Sequence, residues 1–243
     1  MVSRLLGYLL HNTYCLPIHI LRGLFSIAVK YGNFIRRKWR NQHNIEYFIP
    51  GELRILDDLD KENPRVRDKY RTGTAGLGEN LLLARRLCEA GCGFVTLHYA
   101  NSNQGWDMHN KMLPQLKQAC PPLDHAIAIF LEDLAERGLS EKILLVITGE
   151  FGRTPRINGD AGRDHWGPLC TLALAGGGLK MGQVVGESNS KAEVPKTAPI
   201  YPKDLMATLF HVLGIDPQQQ VVDQSGRPQF LLADGAKPID ALI

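Results

Sequence analysis

Apolar and polar positions follow two periods along this chain, and the changes of period mark its elements. Residues 78–90 carry helical spacing, with Leu82, Leu83, Leu87 and Cys88 able to share a face and Gly91 as a stop. Phe94 to Leu97 reads as a short strand. A long helix is predicted over roughly 111–137, with a break near Pro121 and Pro122 and an apolar stripe of Leu123, Ile127, Phe130, Leu131 and Leu134. Gly138 ends it, and the unbroken apolar run Ile143 to Ile147 predicts a strand covered on both faces. A loop without helical period fills 149–168, followed by a strand at 170–175. Gly176 to Gly178 and Gly182 suggest a hairpin into 183–186. A last helix opens at Tyr201, Pro202 and Asp204, with Leu205, Leu209, Val212 and Leu213 inward. Helix, strand, helix, strand with short joins is the grammar of an open, mainly parallel α/β sheet.

The first fifty residues differ. Apolar patches within 5–29 are interrupted by His11, Asn12, Pro17, His19 and Arg22, so neither a membrane span nor a clear signal peptide fits. Charge separates this segment further. It holds seven Lys/Arg (Arg4, Arg22, Lys30, Arg36, Arg37, Lys38, Arg40) against Glu46 alone. Three readings stay open: a basic amphipathic segment over 1–40 making weak membrane-surface contact, a helix packed on the body, or a segment without a settled role. The division is therefore 1–50 and 51–243.

Composition narrows the class of the body. With 243 residues, 44% hydrophobic and 22% charged, the chain is globular and of one or two domains. Outside the first fifty residues, acids outnumber bases, which argues against nucleic acid as a partner because that affinity rests on clustered cations. Five cysteines (Cys15, Cys88, Cys92, Cys120, Cys170) without C-x-x-C spacing exclude a disulfide scaffold and a zinc ribbon.

Candidate chemistry collects where the predicted strands end. In open α/β sheets, ligands bind beyond the carboxyl ends of the strands. Gly105-Trp-Asp-Met-His109 follows the strand at 94–97, and Thr148-Gly-Glu-Phe-Gly-Arg-Thr-Pro155 follows that at 143–147. The long loop adds Gly162-Arg-Asp-His-Trp166. No helix carries the chain back, so the strand at 170–175 should start at the edge where 143–147 ends. Asp107, His109, Glu150, Asp164 and His165 are thus expected to converge. Carboxylates and imidazoles together are a ligand set for a divalent ion, and Arg153 suits a tetrahedral oxyanion. Taken one at a time, each reads first as a hydrogen-bonded loop residue, and it is the three loops at one edge that point to a site.

These blocks, with Leu174-Ala-Gly-Gly-Gly178 and Pro202-x-Asp-Leu205…Leu213-Gly-Ile215, resemble the bacterial domain of unknown function 1501 family, which is similar to the alkaline phosphatase and sulfatase superfamily. The resemblance runs from about residue 60 to the end. It implies a three-layer fold, helices around a mixed, mainly parallel sheet, and a metal-dependent hydrolase acting on a phosphate or sulfate ester. Small anionic esters and sulfated or phosphorylated glycans are the implied substrates, with zinc, manganese or calcium as cofactor. By matching, Asp107, His109 and His165 look like metal ligands, with Asp164 and Glu150 as ligands or supporting acids and Arg153 as a substrate contact; Glu150 and Arg153 are the catalytic candidates. The superfamily's nucleophile and an early metal-binding aspartate lie upstream of the matched part, and no Gly-x-Ser-x-Gly elbow occurs here. The chain therefore reads as the C-terminal part of a longer architecture, a phosphatase- or sulfatase-type hydrolase without its nucleophile region or, alternatively, a non-catalytic anion- or glycan-binding protein. The family resemblance also implies export.

Other residues carry plainer readings. His125 beside Asp124 suits a helix surface or cap, His211 a packed position, and His98 support for a ligand or none. Cys88 and Cys92 read as small apolar residues, and Gly176 to Gly178 lacks the Lys-Ser/Thr of a phosphate loop. Trp106 and Trp166 either stack on a ligand or wall the cleft.

Overall fold

The computed structural model describes residues 59–71, 76–99, 105–232 and 235–243, and the backbone of 24–29, 38–40 and 45–48. The expectation of a membrane-surface segment over 1–40 falls mostly outside the described residues. Among them, no helix is long and apolar enough to cross a membrane.

Three short strands come first: β1 (Leu24–Val29), β2 (Lys38–Arg40) and β3 (Ile45–Phe48). Helix α1 (Pro64–Tyr70) starts where the Asn63 side chain accepts from the Arg65 N–H and Pro64 fills a position that needs no donor. Helix α2 (Leu77–Glu89) and strand β4 (Phe94–His98) follow. Helix α3 (Met112–Glu136) leads into β5 (Ile143–Thr148). The two-residue strands β6 (Gly152–Arg153) and β7 (His165–Trp166) pair within the long loop. Strand β8 (Leu172–Gly176), helix α4 (Pro202–Leu213) and the hairpin β9 (Gln220–Val222) and β10 (Pro228–Phe230) complete the chain.

The break expected at Pro121 and Pro122 is not there, and α3 runs through both. Each proline withholds a donor from the carbonyl four residues back, here Lys117 and Gln118. Both residues are exposed, on the side of the helix where solvent can satisfy the freed carbonyls. Ala119 on one side and Ala126, Ile127 and Phe130 on the other stay buried and hold the axis.

The main sheet has the order β2-β3-β4-β1-β5-β8. The sequence predicts mainly parallel pairing, whereas each neighbouring pair among the described residues is antiparallel. Strand β1 keeps β4 and β5 from pairing directly, because it lies between them and opposes both. Those two therefore run in the same direction, and in register His98 and Thr148 both face Leu24. The loops after β4 and β5 leave from one edge. Strand β8 returns from that edge, with Leu172 opposite Thr148.

Strand β5 fixes the layers. Its Ile143 and Leu145 join the core formed with α2, β4 and α3, around Leu81, Leu87, Val95, Leu97 and Phe130. Leu144 and Val146 point the other way and pack with Leu209 and Val212 of α4. Helices thus cover the sheet on both faces, which is what an unbroken apolar run requires. Helix α4 is opened by the Tyr201 N–H donating to Asp204 Oδ2 at 2.9 Å.

No strand forms at 183–186, against the expected hairpin. The chain leaving β8 bonds instead to the C-terminal turn, with the Lys180 N–H donating to Leu242 O at 2.8 Å and Gln183 Nε2 to Ala241 O at 2.6 Å.

Candidate metal centre at the sheet edge

Three separate stretches of backbone meet at the edge where β4 and β5 end. The first, Trp106 to Asn110, follows β4. The other two are β6 and β7, whose ladder sets Arg153 opposite His165. Main-chain bonds fasten the first stretch to the long loop: Arg163 N–H donates to Met108 O (3.1 Å), Lys111 N–H to Asp160 O and Met112 N–H to Ala161 O (both 2.9 Å). Asn158 ties the corner from inside. Its Nδ2 donates to His109 O (2.9 Å) and Asp164 Oδ1 (3.1 Å), while its Oδ1 accepts from the N–H groups of Asp160 and Gly162.

Gly162 has to be glycine here, since a Cβ would lie 2.0 Å from both the carbonyl carbon and the oxygen of His109. Gly152 is constrained alike by Leu169 O, also at 2.0 Å. Arg163 holds the loop by donating through Nη1 to Thr154 O (2.5 Å) and Pro155 O (2.7 Å).

Within this frame Asp107, His109 and His165 form a cluster whose ligand atoms all lie within 4.8 Å of one another. Asp107 Oδ1 is 2.9 Å from His165 Nε2 and 3.0 Å from His109 Nε2. The two Nε2 atoms are 3.2 Å apart. His109 turns its other nitrogen, Nδ1, to Asp164 Oδ1 at 2.7 Å. A carboxylate only accepts, so the hydrogen on a neutral His109 sits on Nδ1 and Nε2 presents a lone pair. That lone pair then faces the Asp107 oxygen and His165. Acceptors brought this close repel unless a proton or a cation stands between them.

The separations suit a shared ion. Atoms bound to one first-row ion at about 2.1 Å lie roughly 3.0–3.4 Å from each other. The cluster remains open to solvent, its three side chains being between two-fifths and one-half exposed.

Charge at the cluster is held in place by neighbours. Partial burial alone would raise the Asp107 pKa, but hydrogen bonds from His165 and Arg153 and the guanidinium charge outweigh it and bring the carboxyl to about 2. Arg153 Nη2 makes the closest of these contacts, 2.5 Å to Asp107 Oδ1. Asp164 is also held below the usual carboxylate range, by hydrogen bonds from His109 and Asn158. The Phe151 ring packs on His165 with centroids 4.2 Å apart.

The residues expected to converge are thus divided in place. Asp107, His109 and His165 share one focus, while Asp164 stands behind His109 instead of among the three. Arg153 reaches the focus through Asp107. Glu150 lies half-buried on the same loop, three residues before Arg153, and is not one of the clustered three. Both tryptophans spend their indole N–H on backbone carbonyls, Trp106 on Tyr99 O (3.2 Å) and Trp166 on Glu193 O (2.8 Å), which fits walls of the cleft. His211, expected to be packed, is exposed on α4, as is His125 on α3. Sequence reasoning missed Asn158 and Phe151. The Asn158-Gly159 dipeptide is a turn signal that pointed to the first; nothing in the sequence set Phe151 apart.

Fold and site together define a protein of helices packed on an antiparallel sheet, with an aspartate–histidine cluster on the loops at one sheet edge. The chain belongs to the DUF1501 family, described as a protein of unknown function, and the match covers residues 47–243. No curated protein and no solved structure matches the chain.

Proposed function

We propose that this chain is a metal-dependent hydrolase of the phosphatase and sulfatase type on an alkaline phosphatase-like fold, acting on a small phosphate or sulfate ester or a glycan that carries one. The observation that carries this reading is the meeting of Asp107 Oδ1, His109 Nε2 and His165 Nε2 at 2.9–3.2 Å, with Asp164 fixing the tautomer that turns the His109 lone pair inward. Oxygen and imidazole donors of this kind suit zinc or manganese, and calcium with further oxygen ligands. A bound divalent ion would polarise an ester oxygen and lower the pKa of a bound water. The chain's own residues do the rest. Asp164 orients His109 as carboxylates commonly orient metal-bound histidines, and Arg153 supplies a planar fork for the anionic group. Glu150, on the same loop, is the carboxylate this reading assigns to proton transfer.

A second reading keeps the site without turnover, as an anion- or glycan-binding protein. It is favoured by one observation: among the described residues, no serine, threonine or cysteine is hydrogen-bonded to either imidazole. Aryl phosphates and aryl sulfates offered with zinc, manganese or calcium separate the two. Turnover that needs the added ion and disappears in His165→Ala supports the hydrolase. Anion binding without turnover under every ion supports the binding protein.

A further inference from the structure

We propose that Arg153 couples the two halves of the site: it competes with a divalent cation for one oxygen of Asp107, and once displaced by the cation it binds a tetrahedral anion. This rests on the cation-binding reading above and adds an order to it.

The oxygen in question is Asp107 Oδ1. It is 2.9 Å from His165 Nε2 and 3.0 Å from His109 Nε2, and Arg153 Nη2 donates to it at 2.5 Å. A divalent cation shared with both imidazoles and the Arg153 guanidinium are both positive and would crowd onto the same oxygen, so each weakens the other's hold on it. The guanidinium cannot simply leave when it loses. Its side chain is about three-quarters buried, and it also donates to Arg163 O through Nη1 (3.3 Å) and to Trp106 O through Nη2 (3.4 Å). These long contacts to neutral carbonyls keep it beside the cluster while its strong contact is given up. The β6–β7 ladder supports the same outcome, because Arg153 is paired with His165 across two backbone strands and no main-chain movement is needed.

A guanidinium held next to a cation, with a strong donor to spend, is matched by an anion with several oxygens in tetrahedral array. One oxygen meets the cation and others take the fork in pairs. Cation and anion should therefore tighten each other's binding, and linkage requires the factor to be the same in both directions. Inorganic phosphate is the simplest such anion.

The test is calorimetric binding of manganese to the full chain, with and without inorganic phosphate, for wild type, Arg153→Gln, Arg153→Lys and His165→Ala. Circular dichroism first confirms that each variant is folded. Competition predicts that Arg153→Gln binds manganese about tenfold more tightly than wild type. Phosphate should tighten manganese by about tenfold in wild type and by much less in both Arg153 variants, since lysine keeps the charge but not the fork. If Arg153→Gln gains nothing, or if phosphate gives the same factor in all folded chains, the coupling is overturned. A lysine variant indistinguishable from wild type overturns it too, leaving only the field of a positive charge. If wild type binds no manganese, or binds it as His165→Ala does, the cation-binding reading fails and takes the coupling with it. Manganese lost only in His165→Ala leaves that reading standing, and the Arg153 variants then decide.

Discussion

At the scale of single residues, the site depends on which atom of each imidazole faces inward. Asp164 decides this for His109 by taking Nδ1 at 2.7 Å. Asp164→Asn offers an amide that can turn either group to the ring, so the preferred tautomer is lost. If the cluster holds an ion, its affinity is expected to fall about 10- to 100-fold, as when partners of metal-bound histidines are removed, with the fold unchanged; calorimetry beside thermal unfolding checks both. Asp107 gives a pH signature. Its carboxyl, ordinarily near 3.8, is held at about 2 in the folded chain. A depressed folded value means that the stabilisation is fully present above the unfolded pKa and is lost as pH falls through about 2. Urea unfolding of the metal-free chain should therefore show wild type and Asp107→Asn separated by a constant margin at neutral pH. The margin should shrink between pH 4 and pH 2; one that is flat across this window would mean Arg153 and His165 do not stabilise the carboxylate.

At the scale of elements, glycines decide whether the three stretches can meet. A Cβ at Gly162 runs into the His109 backbone, which cannot give as a side-chain tip can. Gly162→Ala should cost about 2–3 kcal/mol and abolish ion binding. Gly159→Ala, three residues away with open space around it, should cost well under that. Thermal unfolding of the pair reads the difference. The same scale shows why the sequence was only partly legible. Helices α2 and α3 and strand β5 follow from their apolar period, because each buries one face or both. The common edge was legible from strand ends followed by chemistry-bearing loops. The return of β8 along β5 was legible too, but the strand between β4 and β5 was not, since it is β1, a short strand of the basic first segment. The uninterrupted course of α3 was hidden by two prolines whose cost is met by solvent. The position of Asp164 behind His109 needed side-chain geometry, because Asp-His as a dipeptide fits either place.

At the scale of the whole molecule, a buried charged knot holds the helical layer that supports this edge. Arg85 of α2 is 1% exposed and pairs with Glu62 at 2.5 Å, with Asp133 of α3 at 2.9 Å and with Glu89. Tyr70 of α1 donates to Asp133 Oδ2 at 2.8 Å, and Arg137 to Oδ1 at 2.8 Å. Arg85→Met leaves Glu62 and Asp133 with Arg137 as their remaining cation and should cost about 3 kcal/mol by chemical denaturation. Ion affinity in the chains that remain folded should be unchanged, since the knot touches no residue of the site. The central claim, that three distant stretches share one cation, is tested most directly by metal content. Full chain incubated with zinc or manganese, dialysed, and analysed by elemental mass spectrometry should hold about one ion per chain. His109→Ala and His165→Ala should each lose it. A wild-type chain that retains no ion, or histidine variants that retain as much as wild type, would contradict the account.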